Sequence, residues 1–168
     1  MKLTIERAAL LKSLGHVQSV VERRNTIPIL SNLKLDAQDG KLALNATDMD
    51  IDIAESVAAD ITQPGSTTAP AHTLYDIVRK LPDGAQVALD ADDDGQLVLS
   101  SGRSRFTLTC LPTADFPVLS GGDLGHEFTL TVAEIQVLMD KTRFAISTEE
   151  TRYYLNGMLI EVSPDYLR

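Results

Sequence analysis

Three aspartates, Asp48, Asp50 and Asp52, alternate with Met49, Ile51 and Ile53. Alternate side chains of a strand share one face. Three carboxylates there could hold a divalent cation for phosphoryl chemistry, as in a metal-dependent nuclease using Asp48, Asp50 and Asp52. The plainer reading is the wet face of a half-buried strand. No histidine, lysine or second acidic cluster is placed to help. Asp90-Ala91-Asp92-Asp93-Asp94-Gly95 opens like a calcium loop. That motif needs glutamate at its twelfth position, where Ser101 stands, and flanking helices where this chain has strand-like runs. It reads as an acidic hairpin turn. His16, His72 and His126 lie far apart and have no ligand-spaced companions, and nucleotide-binding or hydrolase glycine motifs do not occur. No metal, cofactor or catalytic group is expected; the chain reads as a non-enzyme. Cys110, the single cysteine, permits no intrachain disulfide and reads as an inert buried thiol at a strand end.

Two other stretches carry binding chemistry. Arg152-Tyr153-Tyr154-Leu155 sets two stacking faces beside a phosphate-seeking guanidinium. Packing tyrosines at an element boundary would look the same. Arg103-Ser104-Arg105-Phe106-Thr107-Leu108 alternates charged, polar and apolar side chains along a strand. Such a strand could pair with another subunit's edge or be ordinary solvated surface.

Hydrophobic periodicity supplies the elements that position these residues. A strand begins at Leu3–Ile5. Leu10, Leu14, Val17 and Val21 then mark one face of a helix read over 7–24, closed before Pro28. Strand-like runs follow through Ile29–Asp36, Leu42–Ala46 and Met49–Val57, with a turn at Asp39-Gly40. The same β-α-β-β-β order begins again after Gln63-Pro64-Gly65. It comprises Ser66–Ala69, a helix over 71–80, then Gln86–Leu89, Gln96–Ser100 and Arg105–Thr109. Leu111–Gly125 reads as a linker. An offset of 125 positions sets Leu3 on Phe128, Leu10 on Ile135, Leu14 on Met139, Leu30 on Leu155 and Asp36 on Glu161. The first unit therefore restarts, with a capping box at Thr131–Glu134, a helix over 132–143 and a strand over Arg152–Glu161. Two domains are expected: a complete one over 1–125 and an incomplete one over 126–168, the latter not stable by itself.

The chain has 168 residues, 43% of them hydrophobic, and a net charge of −9. The charge is segregated. The three helical stretches hold eight Lys/Arg and four Asp/Glu, a surplus of +4 against −13 elsewhere. Basic helices on an acidic body give one face a positive potential. The alternative is the ordinary preference of Lys and Arg for helix exteriors and last turns. No apolar run approaches the ~18 residues of a membrane span, and the first residues lack a signal-peptide core. A cytoplasmic protein is expected.

MKLTIER, RRNTIPILSNLKL, SGRSRFTLTCLPTADFP and RYYLNGML, in one register along the chain, resemble the bacterial DNA polymerase III beta subunits. The resemblance implies an α+β DNA-clamp fold, with helices on one face and antiparallel sheets on the other. It implies three such domains per subunit, the third absent here, and a head-to-tail homodimer ring at full length. It further implies a processivity factor that encircles duplex DNA without reading sequence and tethers the replicative polymerase. Clamp loader and repair proteins would dock through short peptide motifs. By position, Arg24, Arg152, Tyr153 and Tyr154 match DNA contacts. Arg7, Lys12, Arg79, Lys80, Lys141 and Arg143 are plausible hole-facing groups. Arg103, Arg105, Phe106 and Leu108 match the subunit-interface strand, and Leu155 matches one wall of the peptide pocket. A protein-only scaffold that binds peptides through tandem sheets is the other non-enzymatic reading.

Overall fold

The computed structural model describes residues 1–23, 26–92, 94–117, 128–163 and 166–168. The chain divides into two compact units, Met1–Ser120 and Gly121–Arg168.

Unit 1 begins with strand β1, Lys2–Glu6, whose Leu3 and Ile5 are buried. The Glu6 carboxylate then accepts from the amides of Ala8 and Ala9, which caps helix α1, Arg7–Val17. A 3-10 turn, Pro28–Ser31, leads into β2 (Asn32–Gln38), β3 (Lys41–Thr47), β4 (Asp52–Ala58) and β5 (Asp60–Gln63). Then come β6 (Gly65–Pro70), helix α2 (Ala71–Lys80), β7 (Gln86–Ala91), β8 (Gln96–Ser101) and β9 (Ser104–Thr109). Asp39-Gly40 turns the β2–β3 hairpin with both residues at positive φ, as such tight hairpins require.

The strands form two antiparallel sheets, ordered β5-β1-β7-β8-β9 and β4-β3-β2-β6. Each half of the internal repeat gives its first strand to the other half's sheet. Strand β1 pairs with β7, Leu3 opposite Leu89 and Ile5 opposite Val87. Strand β6 pairs with β2, Thr67 opposite Leu35. The inward alternate positions, among them Leu33, Leu35, Leu42, Leu44, Leu97 and Leu99, join Leu10 and Leu14 of α1 and Leu74 and Val78 of α2 in one core. A smaller cluster of Ile29, Leu30 and Phe116, with Leu111 against it, lies apart. Thr68, fully buried on β6, ties that region down. Its Oγ1 accepts from Asn32 Nδ2 at 3.0 Å and from the Leu111 amide at 2.9 Å, and donates to the Leu111 carbonyl at 2.8 Å.

Unit 2 contains helix α3, Val132–Thr142, and 3-10 turns at Arg143–Ala145 and Glu150–Leu155. The Thr131–Glu134 capping box is present in full.

Several expectations are corrected. The first helix stops at Val17 rather than 24, because the Ser19 hydroxyl takes the His16 carbonyl at 2.6 Å and a turn follows. Arg23 follows the helix, and the basic surplus sits partly in turns. Ile29 belongs to the 3-10 turn, not to a strand. Asp48, Asp50 and Asp52 do not share a strand face. The Asp48 carboxylate accepts from the amides of Asp50 and Ile51, Met49 takes φ 82°, and β4 starts only at Asp52. Strand β5 was not anticipated, since Ile61 is the single apolar residue of Asp60–Gln63. Residues 128–130 and 152–161 form no strand; among the described residues of unit 2 no neighbouring strand offers them a ladder, and only an isolated bridge joins Val162 to Leu167.

Candidate nucleic-acid interface

Helices α1 and α2 pack side by side. Burial of Leu10, Leu14 and Val17 turns Lys12 and His16 outward, and burial of Leu74 and Val78 does the same for Arg79 and Lys80. Arg79 and Lys80 occupy the last turn of α2, where cations complement the helix dipole. Lys12, Arg23 and Lys80 are exposed and enter no ion pair among the described residues. Arg79 is partly engaged, reaching Asp76 at 3.0 Å and lying 5.6 Å over the Tyr75 ring. His16 binds Glu55 of β4 through Nδ1. That hydrogen bond holds the Glu55 carboxyl below its ordinary value against the opposing effect of burial, with Ser13 and the charges of His16 and Lys12 adding to it.

Arg7 is differently placed. Its guanidinium donates to Val78 O at 3.1 Å and Arg79 O at 2.8 Å and pairs with Asp83, leaving the side chain 12% exposed. Arg24 lies outside the described residues.

In unit 2, Arg152, Tyr153 and Tyr154 occupy the Glu150–Leu155 turn rather than the start of a strand. Tyr153 and Tyr154 are 79% and 71% exposed and meet edge to face, ring centroids 5.8 Å apart at 85°. Arg152 Nε lies 3.3 Å from Glu149 Oε2. Such open π-faces beside a cation suit stacking on bases or sugars. Lys141 and Arg143 are exposed at the end of α3. Leu155 is half exposed, yet it does not line the apolar cavity of about 460 Å³ bordered by Phe128, Ile135, Leu138, Met139 and Met158.

Strand β9 is a sheet edge; Arg103, in the turn before it, and Arg105 and Phe106 on it are exposed, Phe106 by 37%. Leu108, matched to the same interface strand, is 6% exposed and belongs to the core, opposite Leu97 on β8.

No group of three or more His, Cys, Asp or Glu that could hold a metal ion occurs among the described residues. Asp92 instead accepts from the amides of Asp94 and Gln96, which makes the acidic run a turn. Cys110 is half-buried, and desolvation pushes its thiol pKa up, which suits an unreactive thiol. No described helix is long and apolar enough to cross a membrane.

Sequence reasoning missed His72. Its ring lies between Gln18 and Val21, and such long-range partners leave no local signal.

A family model described as DNA polymerase III beta subunit, N-terminal domain, matches residues 1–120. The beta sliding clamp of Caulobacter vibrioides (strain NA1000 / CB15N) is 62% identical over 161 residues, 95% of this chain and 43% of that protein. That of Escherichia coli (strain K12) is 44% identical over 169 residues, 100% of this chain and 46% of that protein. Among solved structures, a C. crescentus beta sliding clamp superposes with TM-score 0.92 at 62% identity, covering 96% of this chain and 43% of that one. A DnaN sliding clamp from Bartonella birtlesii bound to griselimycin gives TM-score 0.92 at 49% identity, covering 99% and 45%. The α+β clamp fold is common to all of these. The chain spans less than half the length of the relatives it matches.

Proposed function

The chain belongs to the DNA polymerase III beta subunit family, and from that premise we propose that it acts as part of a sliding clamp. The clamp encircles duplex DNA and tethers the replicative polymerase in the cytoplasm, without catalysing a reaction itself. Topology holds the DNA, so the lining needs only loose, salt-dependent phosphate contacts. What carries the reading is the clamp fold, in which α1 and α2 expose Lys12 and Lys80 on an otherwise acidic chain. Lys12, Arg24, Arg79, Lys80, Lys141 and Arg143 are the proposed phosphate contacts. Arg152, Tyr153 and Tyr154 are proposed to touch DNA from their turn. Arg7, engaged by α2, is the weakest of the hole-facing candidates.

The β9 edge, with Arg103, Arg105 and Phe106, is proposed to meet a second subunit head to tail, its unpaired backbone supplying the ladder. Leu155 is proposed as one wall of a pocket for short peptide motifs of the polymerase, clamp loader and repair proteins. Residues 1–125 are proposed as one complete domain and 126–168 as part of the next.

The test uses the full-length protein placed on nicked circular duplex. Retention on the circle through a salt wash, with release when the circle is linearised, is the expected result. Replacing Lys12 and Lys80 with Glu should weaken binding to linear duplex, most at low salt, and leave retention on the closed circle. Equal retention on circular and linear duplex would overturn a topological mechanism.

A further inference from the structure

The helices of unit 1 run antiparallel, and a side chain from the start of each binds the end of the other. Arg7 opens α1, and its guanidinium takes the carbonyls of Val78 and Arg79 at the end of α2. The Arg7 amide donates to Ala85 O at 2.9 Å, tying the same corner again. His72, second residue of α2, reaches back to the end of α1. Its Nδ1 lies 2.8 Å from Gln18 Oε1 and its Nε2 2.9 Å from Val21 O. The last carbonyls of a helix lack intrahelical donors, and a left-handed glycine just past the end commonly supplies the closing bonds. Neither helix has one there: Gln18 and Ser19 follow α1, and Leu81 and Pro82 follow α2. Local amides close part of each end, those of Gln18 and Ser19 at Leu14 O and His16 O and that of Leu81 at Val78 O; the neighbouring helix adds Arg7 at Val78 O and Arg79 O, and His72 at the turn just past α1. Both clamps sit at equivalent places in the internal repeat, in the first turn after the leading strand.

We propose that Arg7 and His72 are positioning residues that clamp the two helix ends reciprocally. Arg7 thereby places Arg79 and Lys80, and His72 places the exit that carries Arg23; neither side chain contacts DNA. The proposal rests on the sliding-clamp reading of this face. To meet a phosphate, Arg7 would have to abandon the Arg79 carbonyl, its share of the Val78 carbonyl and Asp83. A lysine has the charge but not the fork that spans those acceptors.

That difference supplies the test. In the full-length protein, Arg7→Lys, Arg7→Gln and His72→Phe are compared by amide exchange and by salt-dependent binding to duplex of arbitrary sequence. The Leu81 amide donates to Val78 O and the Val21 amide to Gln18 O, so each reports one clamp. Both Arg7 variants should speed exchange at Leu81 about tenfold or more while sparing Val21, and His72→Phe should do the reverse. With Arg79 and Lys80 already replaced by Ala, Arg7→Gln should bring no further loss of affinity. Direct contact gives the opposite pattern. Arg7→Lys would then keep the wild-type salt slope, and Arg7→Gln would reduce it by about 0.9 in either background. That pattern, or unchanged exchange at Leu81 and Val21, overturns the proposal. If the wild-type protein binds no duplex, the functional reading falls, and exchange alone decides whether the clamps exist.

Discussion

Thr68→Val removes one hydroxyl and keeps nearly the same volume. The hydroxyl accepts from Asn32 Nδ2 and the Leu111 amide and donates to the Leu111 carbonyl, at 2.8 to 3.0 Å. Thr68 is wholly buried and Asn32 nearly so. The substitution strands the Asn32 amide inside the protein, whereas half-buried Leu111 can recover part of its loss from water. A buried donor left without a partner costs about 1–3 kcal/mol, and the weakened Leu111 bonds add to that, so a total of about 2–3 kcal/mol is expected. For a unit of this size the melting temperature should fall by roughly 8–12 °C. Thermal unfolding followed by circular dichroism measures the shift, and amide exchange at Leu111 should rise in step. Thr68→Ser keeps the hydroxyl and loses a methyl, so it should be the milder change, about 1 kcal/mol. A Val variant as stable as wild type, beside a Ser variant that is not, would refute the assignment of the stabilisation to the hydroxyl.

Strand β9 should separate core from surface. Leu108→Ala, at a buried position, should lower stability by about 2–4 kcal/mol in urea unfolding, whereas Phe106→Ala should change it by less than ~1 kcal/mol and act on subunit association. The Glu55 carboxyl has a lowered pKa in the fold, so its contribution is present above the ordinary value of 4.5 and is lost as pH falls through the lower folded value. Unfolding titrations between pH 6 and 3 should show a smaller loss for Glu55→Gln than for wild type; parallel curves would remove His16–Glu55 from the account.

Much of unit 1 is legible in local chemistry. Leu74, Ile77, Val78 and Leu81 mark α2 by spacing alone, and Asp39-Gly40 and Ser101-Gly102 announce their hairpins. The misreadings have physical causes. Asp48 through Ile53 alternates like a strand, yet a carboxylate two residues from an amide can close a turn instead. Val20 and Val21 continue the apolar spacing of α1 and are buried, but on a turn that Ser19 has already started. Apolar register with the first repeat suggests a strand over Arg152–Glu161, although a strand exists only where a neighbour accepts its ladder. Arg7 and His72 were the least legible. Their partners lie far along the chain, and an arginine on a helix looks the same whether it faces phosphate or the next helix.

The exchange of leading strands has a kinetic consequence. Strand β1 completes the sheet of β7–β9, and β6 completes that of β2–β4, so neither β-α-β-β-β half reaches its native pairing before most of the other exists. The contact of Leu3 with Leu89 closes a loop through most of unit 1. Such a high contact order makes folding slow, and unit 1 should cross its barrier once, as a single cooperative body. A chain released after the first half would wait with two unfinished edges, exposed to pairing with its neighbours.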